Sequence, residues 1–208
     1  MTDTQEKVER FFQKGSKREF ASGELILFPG MDGVVPINYL KQGRVIQYDI
    51  NEEGDRSIVN IFKPHAFFPL QVAVNDATIG YFFEADTATE VYQVDPTKVR
   101  DFLLQEPDVM YDVLSRICRG LDGLLGRTTQ LLNGNAKSRV LYELSILSQR
   151  FGKATADGIE VSITAGRLAE MTGLTRETVS RSLQILRQAG LVRLRRGTVT
   201  VLGPMFLS

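Results

Sequence analysis

Arg176, Glu177, Ser180 and Arg181 stand in one short run and bring together the side chains with the most to offer a polar ligand. A guanidinium presents paired N–H donors, a carboxylate accepts, and a hydroxyl does both, which complements the donor and acceptor pattern on base edges in a DNA major groove. Such groups are useful only if one rigid element aims them. Val179, Leu183 and Leu186 recur at three- and four-residue steps, so the stretch reads as a helix that packs by that face and turns Arg176, Glu177, Ser180, Arg181 and Gln184 elsewhere. Thr175 supplies an N-cap, and Glu177 places a carboxylate in the first turn, where the helix dipole favours it.

The flanking residues supply the elements that must hold this helix. Upstream, Thr164 caps a short helix carrying Leu168, Ala169 and Met171, and Gly173 sits where two helices turn sharply, a place suited to positive φ. Downstream, Gly190 closes the helix and Leu191 to Leu194 alternates as a strand. Arg195-Arg196-Gly197 then forms a basic turn, and Thr198 to Val201 returns. The pattern is a helix-turn-helix followed by a two-stranded wing. Taken alone it also suits a winged helix that docks on another protein; the polar face of the second helix favours DNA.

The charge distribution agrees. The 208 residues have a net charge of zero, with 43% hydrophobic and 24% charged residues, as in ordinary globular proteins. Yet Lys and Arg number 14 against 20 Asp and Glu through residue 134, and 11 against 5 beyond it, so a basic module follows an acidic one. Nine of those 11 are arginine, the side chain suited to bidentate contacts. No apolar run reaches the length of a membrane span, and Met1 to Lys17 has no leader arrangement, so a cytoplasmic location is expected and no membrane partner. Cys118 and His65 are the only residues of their kinds, which excludes a zinc ribbon, an intramolecular disulfide and a four-cysteine iron-sulfur cluster within one chain. Haem ligation by His65 lacks any second supporting feature. Cys118 is read as a small core residue rather than a redox thiol.

Along the chain, Met1 to Lys17 reads as a short helix, with Val8, Phe11 and Phe12 on one side, lying as a flap over the β-rich region. In that region short runs alternate with glycine breaks: Glu24 to Phe28, Pro36 to Leu40, Arg44 to Asp49, Ser57 to Phe62, Tyr81 to Ala85 and Glu90 to Val94. Strands so short and evenly spaced predict an antiparallel roll or jelly roll. A helical element around Thr97 to Leu104 precedes a long helix from Asp108 to about Leu132. On it Met110, Leu114, Ile117, Leu121, Leu124, Thr128 and Leu131 form a heptad seam, which predicts a coiled-coil partner, while Val109 and Val113 face the roll. Gly120, Gly123 and Gly126 interrupt this helix and imply either close approach to a neighbour or a place to bend. Asn133-Gly134-Asn135 marks a boundary, Ala136 to Phe151 forms another amphipathic helix, Gly152 to Gly158 reads as a polar loop, and Ile159 to Ile163 as the strand entering the helix-turn-helix.

The order of roll, long helix and winged helix-turn-helix resembles the Crp/Fnr superfamily of bacterial transcription regulators over nearly the full length. The likeness rests on Gly23-Glu24-Leu25-Ile26, Tyr39 to Val45, Ala85 to Val91 and, most specifically, Leu174 to Arg181. By that resemblance Glu177 and Arg181 read C·G pairs, Arg176 matches a guanine-reading arginine of the cyclic-AMP branch, Ser180 matches the fumarate-nitrate branch, and Thr164 matches a phosphate contact. The half-site is left between TGTGA and TTGAT types. Members that bind cyclic nucleotides carry Gly-Glu-Leu and, about a dozen residues on, Arg-Ser or Arg-Thr. The counterparts here are Phe68-Pro69-Leu70 and Ile79-Gly80, with Tyr81 beside them, which leaves a phosphate without its guanidinium and argues against cyclic-AMP binding in the usual mode. The aromatic residues Phe62, Phe67, Phe68, Tyr81, Phe82 and Phe83 read as core rather than as a ligand box.

The expectation is an α+β chain: an antiparallel β-roll sensor over residues 1–107, a dimerisation helix over 108–134 and a winged helix-turn-helix over 135–208. Its predicted function is a homodimeric, sequence-specific regulator, not an enzyme, with no metal and no cofactor. Thr164, Thr175, Arg176, Glu177, Ser180, Arg181, Arg195 and Arg196 would meet a palindromic duplex, Leu114, Ile117, Leu121, Leu124, Thr128 and Leu131 the second copy, and Phe68 to Leu70 with Ile79 to Tyr81 an unidentified small effector. RNA polymerase is a candidate further partner. The alternatives are a constitutive DNA-binding protein whose roll holds no effector, and a jelly-roll enzyme with a protein-docking winged helix, against which the single histidine argues.

Overall fold

Asp3–Phe12 forms α1, whose apolar side is built into the core of the first unit rather than laid over it as a flap. Phe12 is fully buried and stacks on Tyr39 at 5.3 Å, and Phe11 lies flat on Phe102 at 4.0 Å. The computed structural model describes residues 3–203, so Met1 and Thr2, read as the start of this helix, and residues 204–208, read as part of the C-terminal domain, lie outside the described residues. Two compact units result, residues 1–117 and 118–208.

Eight strands and a short helix make the body of the first unit: β1 (Ser16–Phe20), β2 (Leu25–Leu27), β3 (Ile37–Gln42), β4 (Val45–Ile50), β5 (Arg56–Phe62), β6 (Phe67–Phe68), α2 (Leu70–Asn75), β7 (Phe82–Ala85) and β8 (Thr89–Val94). One antiparallel sheet runs β1-β8-β3-β6 and the other β2-β7-β4-β5. Leu27, Leu40, Val45, Phe68, Phe83 and Val91 pack together as one apolar core. Its centre is a stack of rings, with Phe68 4.8 Å from Phe62 and 5.3 Å from Phe83 between centroids. Such packing removes water from large rings, the main favourable term in folding.

A second core gathers α1, β3, β8, α3 (Pro96–Gln105) and the start of α4 (Pro107–Asn133). Asp95 caps α3 by accepting from the Thr97 N–H at 2.9 Å, with Pro96 at the first position, where a missing N–H costs nothing. Val109 and Val113 of α4 are buried in this core, as their spacing predicts. Met110, assigned to the open seam, instead lies half-buried against the same core, because its turn of α4 still rides on the roll. Arg116 donates to the His65 carbonyl at 3.0 Å, and His65 Nδ1 lies 2.8 Å from the buried Tyr39 hydroxyl. Beyond these contacts the seam is open: Leu114, Ile117, Leu121, Leu124 and Leu131 are each 52–56% exposed. Cys118 is exposed as well, contrary to the core expectation, since it falls on this open side of α4.

In the second unit α5 (Ala136–Phe151) starts at an Asn135 side chain that accepts from the Ser138 N–H at 3.0 Å. Tyr142 of α5 lies over Gly126 of α4, where a Cβ would stand 1.7 Å from its hydroxyl. The remaining elements are β9 (Lys153–Thr155), β10 (Gly158–Ser162), α6 (Ala165–Thr172), α7 (Arg176–Gln188), β11 (Val192–Arg195) and β12 (Thr198–Val201). The sheet order is β11-β12-β10-β9, so the expected two-stranded wing is one edge of a four-stranded sheet. Residues read as a polar loop from Gly152 to Gly158 include β9, whose three residues are all exposed and give no alternation to detect. No helix of the described residues is long and apolar enough to cross a membrane.

Candidate nucleic-acid interface

Thr164 and Thr175 fix the two helices of the motif at their starts. The Thr164 hydroxyl accepts from the Arg167 N–H at 3.2 Å and that of Thr175 from the Thr178 N–H at 3.2 Å, each satisfying a donor that a helix start leaves free. Between them Gly173 adopts φ 63°, the left-handed conformation that ends α6 sharply. Val179 and Leu186 are fully buried and Leu183 nearly so, which clamps α7 against α5, α6 and β11 by the predicted face.

The opposite side of α7 is open. Thr175, Arg176, Glu177, Ser180 and Arg181 are all exposed, as are Arg195 at the end of β11 and Arg196 in the wing turn. Glu177 Oε1 holds Arg181 Nη2 at 2.9 Å, one helical turn apart, with both side chains more than 70% exposed. A pair so exposed adds little to stability. It does present a carboxylate acceptor and guanidinium donors side by side in a fixed order. Ser180 Oγ donates to the Arg176 carbonyl at 2.8 Å, which spends its proton on the helix and leaves its lone pairs outward. Gln184, outside the expected contact set, is exposed one turn beyond Ser180, and four-residue steps from Arg176 reach it. Arg193, also outside that set, is tied to Asp157.

The residues assigned to an effector pocket lie in different settings. Phe68 and Ile79 belong to the apolar core of the roll, and Pro69 is buried behind a cis Phe68–Pro69 bond. Leu70 packs against the other core, while Gly80 and Tyr81 are exposed. Tyr81, grouped with the core aromatics, is therefore not one of them. Among the described residues no three or more His, Cys, Asp or Glu side chains are grouped to hold a metal ion.

Comparison with known proteins fits this geometry. Residues 138–207 match the Crp-like helix-turn-helix domain and residues 17–106 the cyclic nucleotide-binding domain. The chain belongs to the Crp/Fnr family. This family member is similar to the global nitrogen regulator of Synechococcus elongatus, 26% identical over 198 residues that span 91% of this chain and 87% of the relative. It is similar also to the transcriptional regulator SdrP of Thermus thermophilus, 27% identical over 185 residues, 88% of each chain. The fold matches the structure of the c-di-GMP-responsive global regulator CLP of Xanthomonas campestris with a TM-score of 0.79, at 19% identity over 96% of this chain and 99% of that one. The protein is thus a Crp/Fnr-type DNA-binding transcription regulator. Within the region that matches the nucleotide-binding domain, no Lys or Arg occurs from Pro64 to Thr97.

Proposed function

We propose that this regulator binds a palindromic duplex as a homodimer, each α7 entering a major groove at half-sites about one helical turn apart. The observation that carries this reading is the exposed row Arg176, Glu177, Ser180 and Arg181 on a helix whose other face is wholly packed. Arg181 and Glu177 together specify a C·G pair, the guanidinium taking guanine O6 and N7 and the carboxylate accepting from cytosine N4. Thr164, Thr175, Arg195 and Arg196 surround this row as phosphate contacts that position the helix. Heptad-spaced, half-exposed Leu114, Ile117, Leu121, Leu124 and Leu131, with Thr128 among them, support a second copy of α4 as the partner. The work is done where the chromosome is, in the cytoplasm, and involves no catalytic step.

The roll does not take a cyclic nucleotide in the usual manner. Phe62, Phe68 and Phe83 stack inside it, and the segment around Ile79, from Pro64 to Thr97, supplies no Lys or Arg of its own to pair a phosphate. The filled interior favours regulation through another surface, or none. Selection of binding sites from random duplex, with and without a small-molecule extract of cells, tests both parts. Enrichment of a two-fold symmetric site in either condition is the expected result. Equal retention of palindromic and scrambled duplex would reject the function, and a site that is enriched only with cyclic nucleotide present would reject the account of the roll.

A further inference from the structure

The seam of α4 leaves more apolar surface open than a two-residue repeat requires. With Leu114, Leu121 and Thr128 at heptad position a and Met110, Ile117, Leu124 and Leu131 at d, position e holds Tyr111, Cys118, Leu125 and Leu132. Tyr111, Leu125 and Leu132 are 56–78% exposed, and Cys118 is exposed too. Position g, on the other flank, holds Val113, Gly120 and Arg127. Val113 is buried on the roll and Arg127 is bound to Glu143 of α5, whereas a Cβ on Gly120 would meet nothing within 4 Å. Gly126 lies against Tyr142, whereas among the described residues nothing accounts for Gly120.

In a parallel pair of helices, residues at e on one face those at g on the other, five positions earlier in sequence. That register sets Leu125 opposite the partner's Gly120. A leucine open to water and a glycine that weakens a helix by about 1 kcal/mol relative to alanine account for each other once brought together. We propose that Gly120 is a notch in the face of α4 that receives Leu125 of a second copy, so that the interface runs three residues wide through this heptad. This rests on the homodimer reading and adds to it a specific surface and occupant.

The test turns on sign. Alanine at 120 and at 123 adds the same helix propensity, and at both positions the added methyl meets none of the described residues of its own chain within 4 Å. Dissociation constants of the full chain, measured by sedimentation with helix content checked by circular dichroism, should therefore diverge. Gly120→Ala should loosen the dimer roughly tenfold by overpacking, while Gly123→Ala leaves it as tight or tighter. Leu125→Ala should also loosen it, and adding Gly120→Ala to Leu125→Ala should cost far less than adding it to wild type, since the room is then vacant. A dimeric wild type in which Gly120→Ala behaves like Gly123→Ala, or in which the two effects simply add, overturns the notch alone. A monomeric wild type overturns the homodimer reading and the notch with it.

Discussion

Arg127 on α4 and Glu143 on α5 meet in a two-pronged ion pair, Nε to Oε2 at 2.8 Å and Nη2 to Oε1 at 2.6 Å, with the glutamate only 2% exposed. The pair joins the last turns of the long helix to the first helix of the DNA-binding region. It is reinforced by Arg139, which donates to the carbonyls of Gln130 and Leu131 where α4 runs out of its own partners. Removing one partner strands the other charge in a poorly solvated place. Glu143→Ala should therefore lower unfolding free energy by about 3–5 kcal/mol, whereas replacing both with apolar residues, as in Arg127→Met with Glu143→Leu, should cost far less. Denaturant titration of the three proteins decides it; equal losses in the single and double variants would show that the charge left behind is not the cause.

Arg181→Ala is expected to cost about 1–3 kcal/mol of binding and to relax preference at one G·C pair, because a bidentate base contact is lost. Arg196 in the wing turn carries charge without a fixed partner geometry, so Arg196→Ala should weaken specific and random duplex alike and flatten the salt dependence. Neither change should move thermal stability much, since the Glu177–Arg181 pair is exposed. Fluorescence anisotropy on selected and scrambled duplex at several salt concentrations measures both. A uniform loss for Arg181→Ala would remove it from base reading.

Glu9 is 7% exposed, and the Lys41 ammonium bonded to it holds its carboxyl below the usual glutamate range, outweighing burial. A depressed native value means that the unfolded chain takes up the proton first. The stabilisation is then complete above the unfolded value, about 4.3, and is lost as pH falls through the native value. Glu9→Gln should be less stable than wild type near neutrality, and the gap should close on acidification below about pH 4.3. Unfolding midpoints measured from pH 7 downward would contradict this by showing a constant difference.

Much of this architecture could be read from residue order, and the reasons are local. Thr175 and Thr164 are capping residues doing the capping expected of them, and α5 and β12 span the residues that their periodicity marks out. What escaped reading lacks a local signal. Ser16–Phe20 is an edge strand of charged, mostly exposed residues, so the alternation that marks a strand is absent. Leu70–Asn75 is a helix of six residues with two valines and no side-chain cap, a composition that reads as extended. Cys118 is of a type that points to a core, but type does not report which face of a helix stays uncovered. The exposed polar row of α7 is legible because one helix holds all of it, while the roll's interior depends on strands distant in sequence.

Gly43, in the turn between β3 and β4, is the position where backbone conformation and space coincide. Its φ is 96°, and a Cβ there would stand 2.5 Å from the Ala88 carbonyl oxygen and 2.8 Å from the Thr89 Cα, backbone atoms that cannot swing aside. Gly54, in the next hairpin, has a similar φ of 87° but open space around it. Alanine at 54 then costs only the strained conformation, about 1–2 kcal/mol, whereas alanine at 43 adds displacement of the β7–β8 turn. Gly43→Ala should therefore exceed Gly54→Ala in lost stability by about 1–3 kcal/mol, the usual cost of forcing extra volume into a packed site. Comparison of denaturation midpoints checks the difference. Similar midpoints would mean that conformation alone explains the glycine in Gln42-Gly43, and that the approach of residues 88 and 89 is loose enough to give way.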